Sequence, residues 1–412
     1  MGGQFTIIVI PDTQYLTTNG DLGRDYFYAM TNWIVAQKDA LNIQAVLHVG
    51  DIVNGISQPQ YEIACGATDI IKDAGIPFIP CRGNHDWPDA HNEFFGYATF
   101  QTFPEIGKYD TADVSNYYVK LIIEDEPYLF LSIDFGPSDE VMEWFSGVIA
   151  DHPDCHVIIV THSYMFIDGT RVSPGDAHNP NSYNYDYCEY PVNDGEDMWQ
   201  KYLKQHPNVR CIFSGHHLLR NYSHRIDLND HGFPVFQAFQ NWQDDLLGGN
   251  GRICVYQVTP GNLHRIDLQV YDPALGQYIP EFDLSLSFNW SSASRVQPRG
   301  FLRYSQLGTL QSRAVAVAGR QGTIANGTIH AKQVTLSQFS SLGVLLVPSR
   351  PPLVAADRIA AVEVLGGSLD AQAYLDAPSY LVRGFLRYSQ LGTLQSRAVA
   401  VAGRQGTIAN GT

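Results

Sequence analysis

Over residues 1–290, short apolar runs alternate with longer stretches in which apolar residues recur every three or four positions. The first pattern is typical of buried strands, and the second of helices with one face against a core. The predicted strands are 5–10, 44–49, 76–80, 156–160, 209–213, 235–239, 252–258 and 263–271, with a hairpin from 117–123 and 128–135. The predicted helices are 24–41, 61–74 and 138–150. This order predicts a layered α/β core with its chemistry at the carboxyl ends of the strands.

A different pattern occupies residues 291–412, where Val, Ala, Leu, Gly and Thr dominate and short alternations favour strands and turns. Within this region, residues 299–328 recur without change at 383–412. A fixed-period repeat indicates a repeat array, although a recent duplication or an assembly error would also leave perfect identity. We therefore predict a β-rich region with a structural or attachment role, through which the protein could assemble.

Charge divides at the same place in the chain, which at 412 residues is too long for one ordinary hydrophobic core. Residues 1–290 carry 14 basic and 38 acidic side chains, a net charge of −24, whereas residues 291–412 carry 12 basic and 4 acidic ones, a net charge of +8. This asymmetry predicts a boundary near Trp290, and hence domains at 1–290 and 291–412. The overall charge of −16 disfavours nucleic acid as a partner, because clustered Lys and Arg hold phosphate backbones.

The six cysteines form no CxxC pair, and Cys81, Cys155, Cys211 and Cys254 lie in or beside predicted strands. Buried thiols are therefore favoured over disulfides, and a zinc ribbon is disfavoured. The first strand begins at Phe5, which leaves no room for a signal peptide, and no apolar run reaches the length of a membrane span. A cytoplasmic protein is the default expectation, and a processed form that is secreted, on the cell surface or in a virion is the alternative.

Five short polar segments each follow a predicted strand. They are Asp12-Thr13-Gln14, Gly50-Asp51-Ile52-Val53-Asn54, Gly83-Asn84-His85-Asp86, Thr161-His162 and Gly215-His216-His217. Taken singly, each segment is more often a plain turn. Because the carboxyl ends of parallel strands meet at one edge of a sheet, the five in order predict a metal site.

Asp51 is the predicted bridging ligand of this site. It follows an apolar run and a glycine that leaves room for ions, and a carboxylate can bridge two cations ~3.5–4 Å apart. Asp12 is placed to hold one ion, and Asn84 offers its amide oxygen to the other. His162 and His216 supply imidazole nitrogens, which suit zinc, iron or manganese.

These segments resemble the motifs of the calcineurin-like metallophosphoesterase superfamily, whose pattern is DxH, GDxx[ND], GNH[DE], a single His and GHxH. The likeness covers residues 5–270, and the Asp12-Thr13-Gln14 form is similar to a bacterial branch in which glutamine replaces the first histidine. The resemblance implies a four-layer αββα sandwich that holds one or two divalent metal ions, Mn, Fe or Zn, at the strand ends. It also implies a hydrolase, a phosphatase or phosphodiesterase that acts on a small or medium phosphate ester.

Carried over by position, the second metal site of this family is complete in the chain. Its residues are Asp51, Asn84, His162 and His216. The first site is not complete, because Gln14 and Leu218 stand where the family has histidines. A glutamine amide oxygen is a neutral ligand, and leucine cannot ligate a metal. We expect a first site held by Asp12, Asp51 and Gln14 with a weaker or exchangeable ion, and a mononuclear enzyme is the alternative.

The resemblance also implies the catalytic steps. A metal-bound hydroxide would attack phosphorus, because coordination lowers the pKa of water to ~7, and His85 would protonate the leaving alkoxide. Asp86 follows directly and is expected to orient or charge-stabilise the His85 imidazole. The alternative is a catalytically eroded metal-binding domain that serves as a structural or binding module of a surface or virion assembly. The presence of His85 favours the enzyme, since a purely structural metal site needs no general acid.

Three further features bear on the site. The segment 168–196 follows His162 and is rich in Asn, Tyr, Asp, Pro and Gly, which favours a lid or substrate wall, with a self-packed surface loop as the alternative. His48 is interpreted as a satisfied strand histidine. Arg82 is either a contact for substrate phosphate or part of a structural salt bridge.

Overall fold

The computed structural model describes residues 3–290 apart from 97–102, 187, 189 and 262, and beyond residue 290 it describes strands only. The chain separates into two compact units, Met1–Arg295 and Val296–Thr412. The first unit contains the predicted site, and its secondary structure can be given in chain order.

Fourteen described strands belong to the first unit. They are β1 (Phe5–Ile10), β2 (Ile43–His48), β3 (Phe78–Pro80), β4 (Glu105–Lys108), β5 (Tyr117–Ile123), β6 (Glu126–Ile133), β7 (His156–Thr161), β8 (Val209–Ser214), β9 (Tyr222–Leu228), β10 (Pro234–Gln240), β11 (Ile253–Thr259), β12 (His264–Asp272), β13 (Gln277–Tyr278) and β14 (Leu284–Phe288). The α-helices are α1 (Gly20–Ala36), α2 (Gln58–Asp73), α3 (Pro88–Phe95), α4 (Asp139–Asp151) and the short α5 (Gly195–Asp197) and α6 (Leu246–Gly249). Shorter helical turns are Gln14–Leu16, Pro180–Ser182, Met198–Tyr202, Leu203–Gln205 and Pro280–Phe282.

The strands form two sheets. The first has the order β13-β12-β11-β1-β2-β3, with β14 also pairing with β12, and the second has the order β4-β5-β6-β7-β8-β10-β9. Strands β1, β2 and β3 run parallel to one another, as do β6, β7, β8 and β10. Each sheet therefore has a block of parallel strands whose carboxyl ends share one edge.

The two sheets pack face to face around the main hydrophobic core. Alternate residues of both sheets fill it, such as Phe5 and Val9 from β1 and Phe130 and Val160 from the second sheet. The opposite face of the first sheet packs against α1, α2 and α3, and the opposite face of the second packs against α4 and the helical turns near residue 200. The order of layers is helix, sheet, sheet, helix, so the predicted four-layer αββα sandwich is confirmed.

Local sequence explains the ends of several elements. Ser138 caps α4, its Oγ accepting a hydrogen bond of 3.4 Å from the amide of Val141, as short polar side chains do at helix starts. The β5–β6 turn places Glu124 and Asp125 at φ 50° and 65°, the left-handed conformation that two-residue hairpin turns require. Pro127 belongs to β6 and faces Ile122, so the turn is shorter than the sequence predicts.

Some elements have no counterpart in the sequence prediction. In the first unit they are α3, α6, β4, β9, β13, β14, the helical turns around residues 195–205 and the short turns Gln14–Leu16, Pro180–Ser182 and Pro280–Phe282. The strand β9 illustrates the cause: its residues are only half-buried or exposed, so it lacks the apolar run on which the prediction depends. Its pairing with β10 along seven residues holds it in the sheet.

All six cysteines are free thiols, and Cys81, Cys155, Cys211 and Cys254 are buried, as expected. Within the described residues, no helix combines the length and apolar character needed to cross a bilayer.

The second unit is described only as strands. They are β15 (Gly322–Thr323), β16 (Thr328–Ile329), β17 (Gly343–Pro348), β18 (Ala360–Leu365), β19 (Asp370–Ala371), β20 (Val382–Ser389), β21 (Arg397–Ala402) and β22 (Gly406–Thr407). Four of them form a sheet in the order β17-β18-β20-β21. Most of the repeat at 299–328 and 383–412 lies outside the described residues, and the attachment role stays a prediction.

Candidate metal centre

The predicted ligands meet where the parallel strands of both sheets end. Asp12 follows β1, Asp51 follows β2, Asn84 follows β3, His162 follows β7 and His216 follows β8. All five side chains are buried. The two parallel blocks therefore bring together residues that are up to two hundred positions apart in the chain.

The Nε2 atom of His162 lies at the centre of this group. It is 3.2 Å from Oδ2 of Asp51, 3.1 Å from Oδ1 of Asn84 and 3.1 Å from Nδ1 of His216. Ligand atoms of Asp51, His162 and His216 all lie within 4.8 Å of one another. One carboxylate, one amide oxygen and two imidazoles thus converge on a volume that suits a single transition-metal ion.

Backbone carbonyls fix which ring nitrogens are free to bind metal. Nδ1 of His162 lies 2.7 Å from the carbonyl oxygen of Val49, and Nε2 of His216 lies 3.0 Å from that of His178. Since a carbonyl only accepts, these two nitrogens carry the hydrogens. The remaining nitrogens, Nε2 of His162 and Nδ1 of His216, lie 3.1 Å apart and are the ones that would bind a cation once Nε2 of His162 has released its proton. This orientation by a second hydrogen bond is typical of metal-binding histidines.

The electrostatics of the cluster indicate that it needs positive charge. Burial alone would raise the pKa of Asp51, but the His162 imidazolium lowers it. Burial likewise opposes protonation of His162, yet Asp51 raises the pKa of that imidazole to about 9. Burial lowers the pKa of His216 well below its ordinary value. A proton on His162 compensates the buried carboxylate here, and a bound cation would supply that charge instead.

Asp12, Gln14 and Asp51 are the predicted ligands of the first site. The carboxylate of Asp12 accepts from the amide of His216 at 3.1 Å and from Nδ2 of Asn241 at 2.9 Å. Nε2 of Gln14 donates to Oε1 of Gln243 at 2.6 Å, while Oε1 of Gln14 is buried and has no hydrogen-bond partner among the described residues. Buried acceptors are nearly always paired, so this oxygen fits a metal ligand.

His217 and Leu218 follow His216 in the same loop. His217 is buried, its Nε2 lies 3.5 Å from Oγ of Ser163, its ring packs edge-on to Phe166, and its Nδ1 has no hydrogen-bond partner among the described residues. Leu218 is half-buried, and its side chain offers no metal ligand. The three predicted ligands of the first site, Asp12, Gln14 and Asp51, all offer oxygen atoms.

Two glycines permit the close approach of these loops. A Cβ atom on Gly83 would collide with the backbone and carboxylate of Asp51, and one on Gly215 would collide with Asp12. Asp51 and His216 also have positive φ, 51° and 75°, a conformation that costs energy for residues other than glycine and occurs mostly at functional sites.

His85 lies beside the cluster and is half-buried. Its backbone amide donates to Oδ1 of Asp51 at 2.9 Å, and its Nδ1 lies 2.9 Å from the carbonyl oxygen of Asn54. Nδ1 therefore carries a hydrogen, and Nε2 is the nitrogen left for a substrate. The partner that orients this imidazole is a backbone carbonyl.

Asp86 holds the loops instead of contacting the His85 ring, which corrects the expectation from sequence. Its carboxylate accepts from the amides of Ile52 and Val53 at 3.1 Å and from that of Gly83 at 2.9 Å. These bonds tie the loop after β2 to the loop after β3. The sequence-adjacent carboxylate is thus a structural brace.

Replacing Asp86 by asparagine is expected to lower the free energy of unfolding by about 2–4 kcal/mol, because a neutral amide makes weaker bonds to backbone donors than a carboxylate does. Chemical denaturation at pH 7.5 measures the change. Asp39→Asn is the matched control, because Asp39 is exposed in the turn that follows α1. A variant as stable as the parent would show that the three amide contacts are dispensable.

Arg82 is buried and belongs to a structural salt bridge. Its guanidinium pairs with Asp134 and donates to Oγ of Ser115 at 3.2 Å and to the carbonyl of Asp86 at 3.2 Å. Of the two interpretations from sequence, the structural one describes these contacts.

The segment 168–196 packs directly against the cluster. Besides the His178 carbonyl on His216, the hydroxyl of Tyr185 lies 3.4 Å from Nδ2 of Asn84. Tyr183 and Tyr185 stack with ring centroids 5.2 Å apart, and Tyr183 also packs against the His216 ring. The segment therefore forms an aromatic wall beside the predicted ligands, and its role as a substrate wall stays a prediction.

Asn241 and Gln243 are site residues that the sequence reasoning missed. They follow β10, which is parallel to β8, so the same rule that selected the other five segments also applies to them. The signal was present as a predicted strand at 235–239 followed by Asn241-Trp242-Gln243. The five motifs quoted above do not include these residues.

A second group of potential ligands, Glu126, His156 and His264, lies at the other ends of β6, β7 and β12. Nε of Arg210 donates to Nδ1 of His156 at 3.1 Å, so the hydrogen of that neutral ring is on Nε2, which faces Glu126 at 3.2 Å. His156 therefore has no lone pair directed into this group.

Known proteins resemble the chain in sequence and in fold. A family model described as calcineurin-like phosphoesterase matches residues 5–219. The chain is 26% identical over 281 residues to the uncharacterised protein YvnB of Bacillus subtilis (strain 168), a match that covers 65% of this chain and 20% of the length of YvnB.

Two solved structures are also similar to the chain. Purple acid phosphatase PPD1 of yellow lupin (Lupinus luteus) is 14% identical with a TM-score of 0.43, covering 70% of this chain and 54% of that one. The NAD nucleotidase NadN of Haemophilus influenzae is 14% identical with a TM-score of 0.39, covering 67% and 53%.

Proposed function

Because the chain belongs to the calcineurin-like phosphoesterase family, we propose that it hydrolyses phosphate esters at a two-metal centre. The proposed ligands of the second ion are Asp51, Asn84, His162 and His216, and those of the first are Asp12, Gln14 and the bridging Asp51. Divalent cations held there neutralise charge on phosphoryl oxygens and make water more acidic. The observation that carries the proposal is a convergence of four potential ligand atoms. Oδ2 of Asp51, Oδ1 of Asn84 and Nδ1 of His216 all lie within 3.2 Å of Nε2 of His162.

His85 is the proposed general acid. Its Nδ1–H is held by the Asn54 carbonyl, so Nε2 is the nitrogen that would carry the donated proton. Nε2–H is then available to the oxygen of the leaving group, and proton donation at this point typically contributes ~10²–10⁴-fold. The backbone amide of His85 donates a hydrogen bond to Asp51, which fixes the position of the proposed acid relative to the proposed bridging carboxylate.

The aromatic wall on segment 168–196 is the proposed boundary of the substrate pocket. Its contacts with Asn84 and His216 support this proposal, because both residues are proposed ligands of the second ion. The acidic character of residues 1–290 favours small or medium esters over polyanions, because repulsion grows with each added phosphate.

Metal dependence is the direct test of this function. Stripping metal from the full chain with a chelator is expected to lower its rate of hydrolysis of bis(p-nitrophenyl) phosphate or p-nitrophenyl phosphate by at least 100-fold. This corresponds to a loss of about 2.7 kcal/mol of transition-state stabilisation. Adding Mn²⁺, Fe²⁺ or Zn²⁺ should restore the rate, and the melting temperature should rise with metal concentration.

The melting temperature also serves as the control for folding and loading. Folded, metal-loaded protein that hydrolyses neither ester would contradict the enzyme and favour the eroded binding module, with Leu218 as the residue that disables the first site. Comparison of the two esters separates diesterase from monoesterase.

A further inference from the structure

We propose that the two ions differ in kind: an oxygen-only first site takes a hard cation, Mn²⁺ or Mg²⁺, while the imidazole-containing second site retains Zn²⁺ or iron. We further propose that Asn241 and Gln243 are the positioning residues that build the first site. The inference rests on the proposed function, because it concerns the same centre.

The donor atoms of the two sites set this difference. The second site offers two imidazole nitrogens, whereas the first offers the carboxylates of Asp12 and Asp51 and the amide of Gln14. Imidazole suits zinc and iron, and carboxylate, carbonyl and water ligands suit Mg²⁺ and Mn²⁺. Three protein oxygens also leave coordination positions for water, which Mg²⁺ gives up reluctantly.

Gln243 orients the Gln14 amide. Because Oε1 of Gln243 accepts from Nε2 of Gln14 at 2.6 Å, the donor side of the Gln14 amide is occupied and its oxygen is left for a ligand. That oxygen is buried and has no partner among the residues the structure describes. The contact is thus the feature that turns a flexible glutamine into an oriented oxygen donor.

Asn241 connects the same element to Asp12. Its Oδ1 accepts from the backbone amide of Gln243 at 2.9 Å, and its Nδ2 donates to Oδ2 of Asp12 at 2.9 Å and to the carbonyl of His217 at 3.3 Å. The chain of contacts runs from Asp12 through Asn241 and Gln243 to Gln14. All four side chains are buried, so the geometry is held away from competing water.

Partners of this type around metal ligands typically change metal affinity by ~10–100-fold when removed. Gln243→Leu is therefore expected to weaken Mn²⁺ binding to the full chain by about that factor, while Gln243→Glu, which keeps an acceptor for Gln14, should retain most of the affinity. Gln277→Leu, at an exposed glutamine of β13, is the matched control.

The experiment loads the stripped full chain with equimolar Zn²⁺ and Mn²⁺, follows bound Mn²⁺ by electron paramagnetic resonance and measures metal content. The expected result is about one zinc and one manganese per chain, no ¹⁴N coupling to the manganese, and the Gln243 affinities given above. Gln14→His should introduce ¹⁴N coupling and raise zinc content toward two.

Zinc in both sites of the parent chain, or ¹⁴N coupling to its manganese, would overturn the inference. Unchanged Mn²⁺ affinity in Gln243→Leu would remove Gln243 from the positioning role. These outcomes are separate from the proposed function, because a chain that hydrolyses esters with two zinc ions would keep the function and lose the inference. A chain that binds both metals as expected but hydrolyses neither ester would keep the inference and lose the proposed function.

Discussion

Replacing Asp51 by asparagine is expected to reduce turnover of bis(p-nitrophenyl) phosphate by at least 10³-fold, about 4 kcal/mol. Asp51 is the one carboxylate proposed to contact both ions, and it also bonds the His85 amide at 2.9 Å and faces His162 at 3.2 Å. The asparagine lacks the negative charge, and its amino group would face one of these donors. The variant should therefore lose bound metal and also misplace His85, the proposed general acid.

Three measurements test this expectation: initial rates at saturating metal, metal content after gel filtration, and the melting temperature. Asp89→Asn, an exposed carboxylate in the first turn of α3, is the matched control and should keep parent values for all three. An Asp51→Asn protein that retained its metal and most of its rate would contradict the bridging role.

Replacing His85 by alanine is expected to slow hydrolysis of an ethyl phosphodiester by ~10²–10⁴-fold, the usual contribution of a general acid. An alkoxide leaves poorly and needs a proton, whereas p-nitrophenolate leaves without one. Loss on the aryl ester should therefore stay below about tenfold. The ratio of kcat/KM for the two esters, in parent and variant, measures the difference.

Metal content provides the control for His85→Ala. Within the described residues the ring hydrogen-bonds to the Asn54 carbonyl, and it is the backbone amide that bonds Asp51. Alanine retains that amide, so bound metal should be unchanged. Equal losses on both esters would remove His85 from the acid role.

The sequence predicted the fold well, and it selected the residues that converge at the proposed second site, because both depend on local patterns. The strands before Asp12, Asp51, His162 and His216 are largely apolar and buried, and the predicted ligands follow them within three residues. Parallel pairing then places such residues at one edge without any knowledge of long-range contacts.

The hydrogen-bond partners within the site could not be predicted from local sequence patterns. Asp86 adjoins His85 in sequence, yet its carboxylate points to backbone donors at Ile52 and Val53, on another loop. Asn241 and Gln243 act through residues more than two hundred positions away. Hydrogen-bond partners of this kind depend on the packing of loops, which periodicity does not encode.

The carbonyl of His178 has a consequence for how this protein can diversify. It belongs to the aromatic wall of segment 168–196, yet it sets the protonated nitrogen of the ligand His216. Surface loops ordinarily change freely, since they contribute little to the core. Here an insertion or exchange that selects a new substrate would also reset the affinity for the second ion. On the proposed function, substrate specificity and metal retention would therefore be inherited together, and we expect that loop grafting in this scaffold must preserve the backbone at His178 whatever side chains it changes.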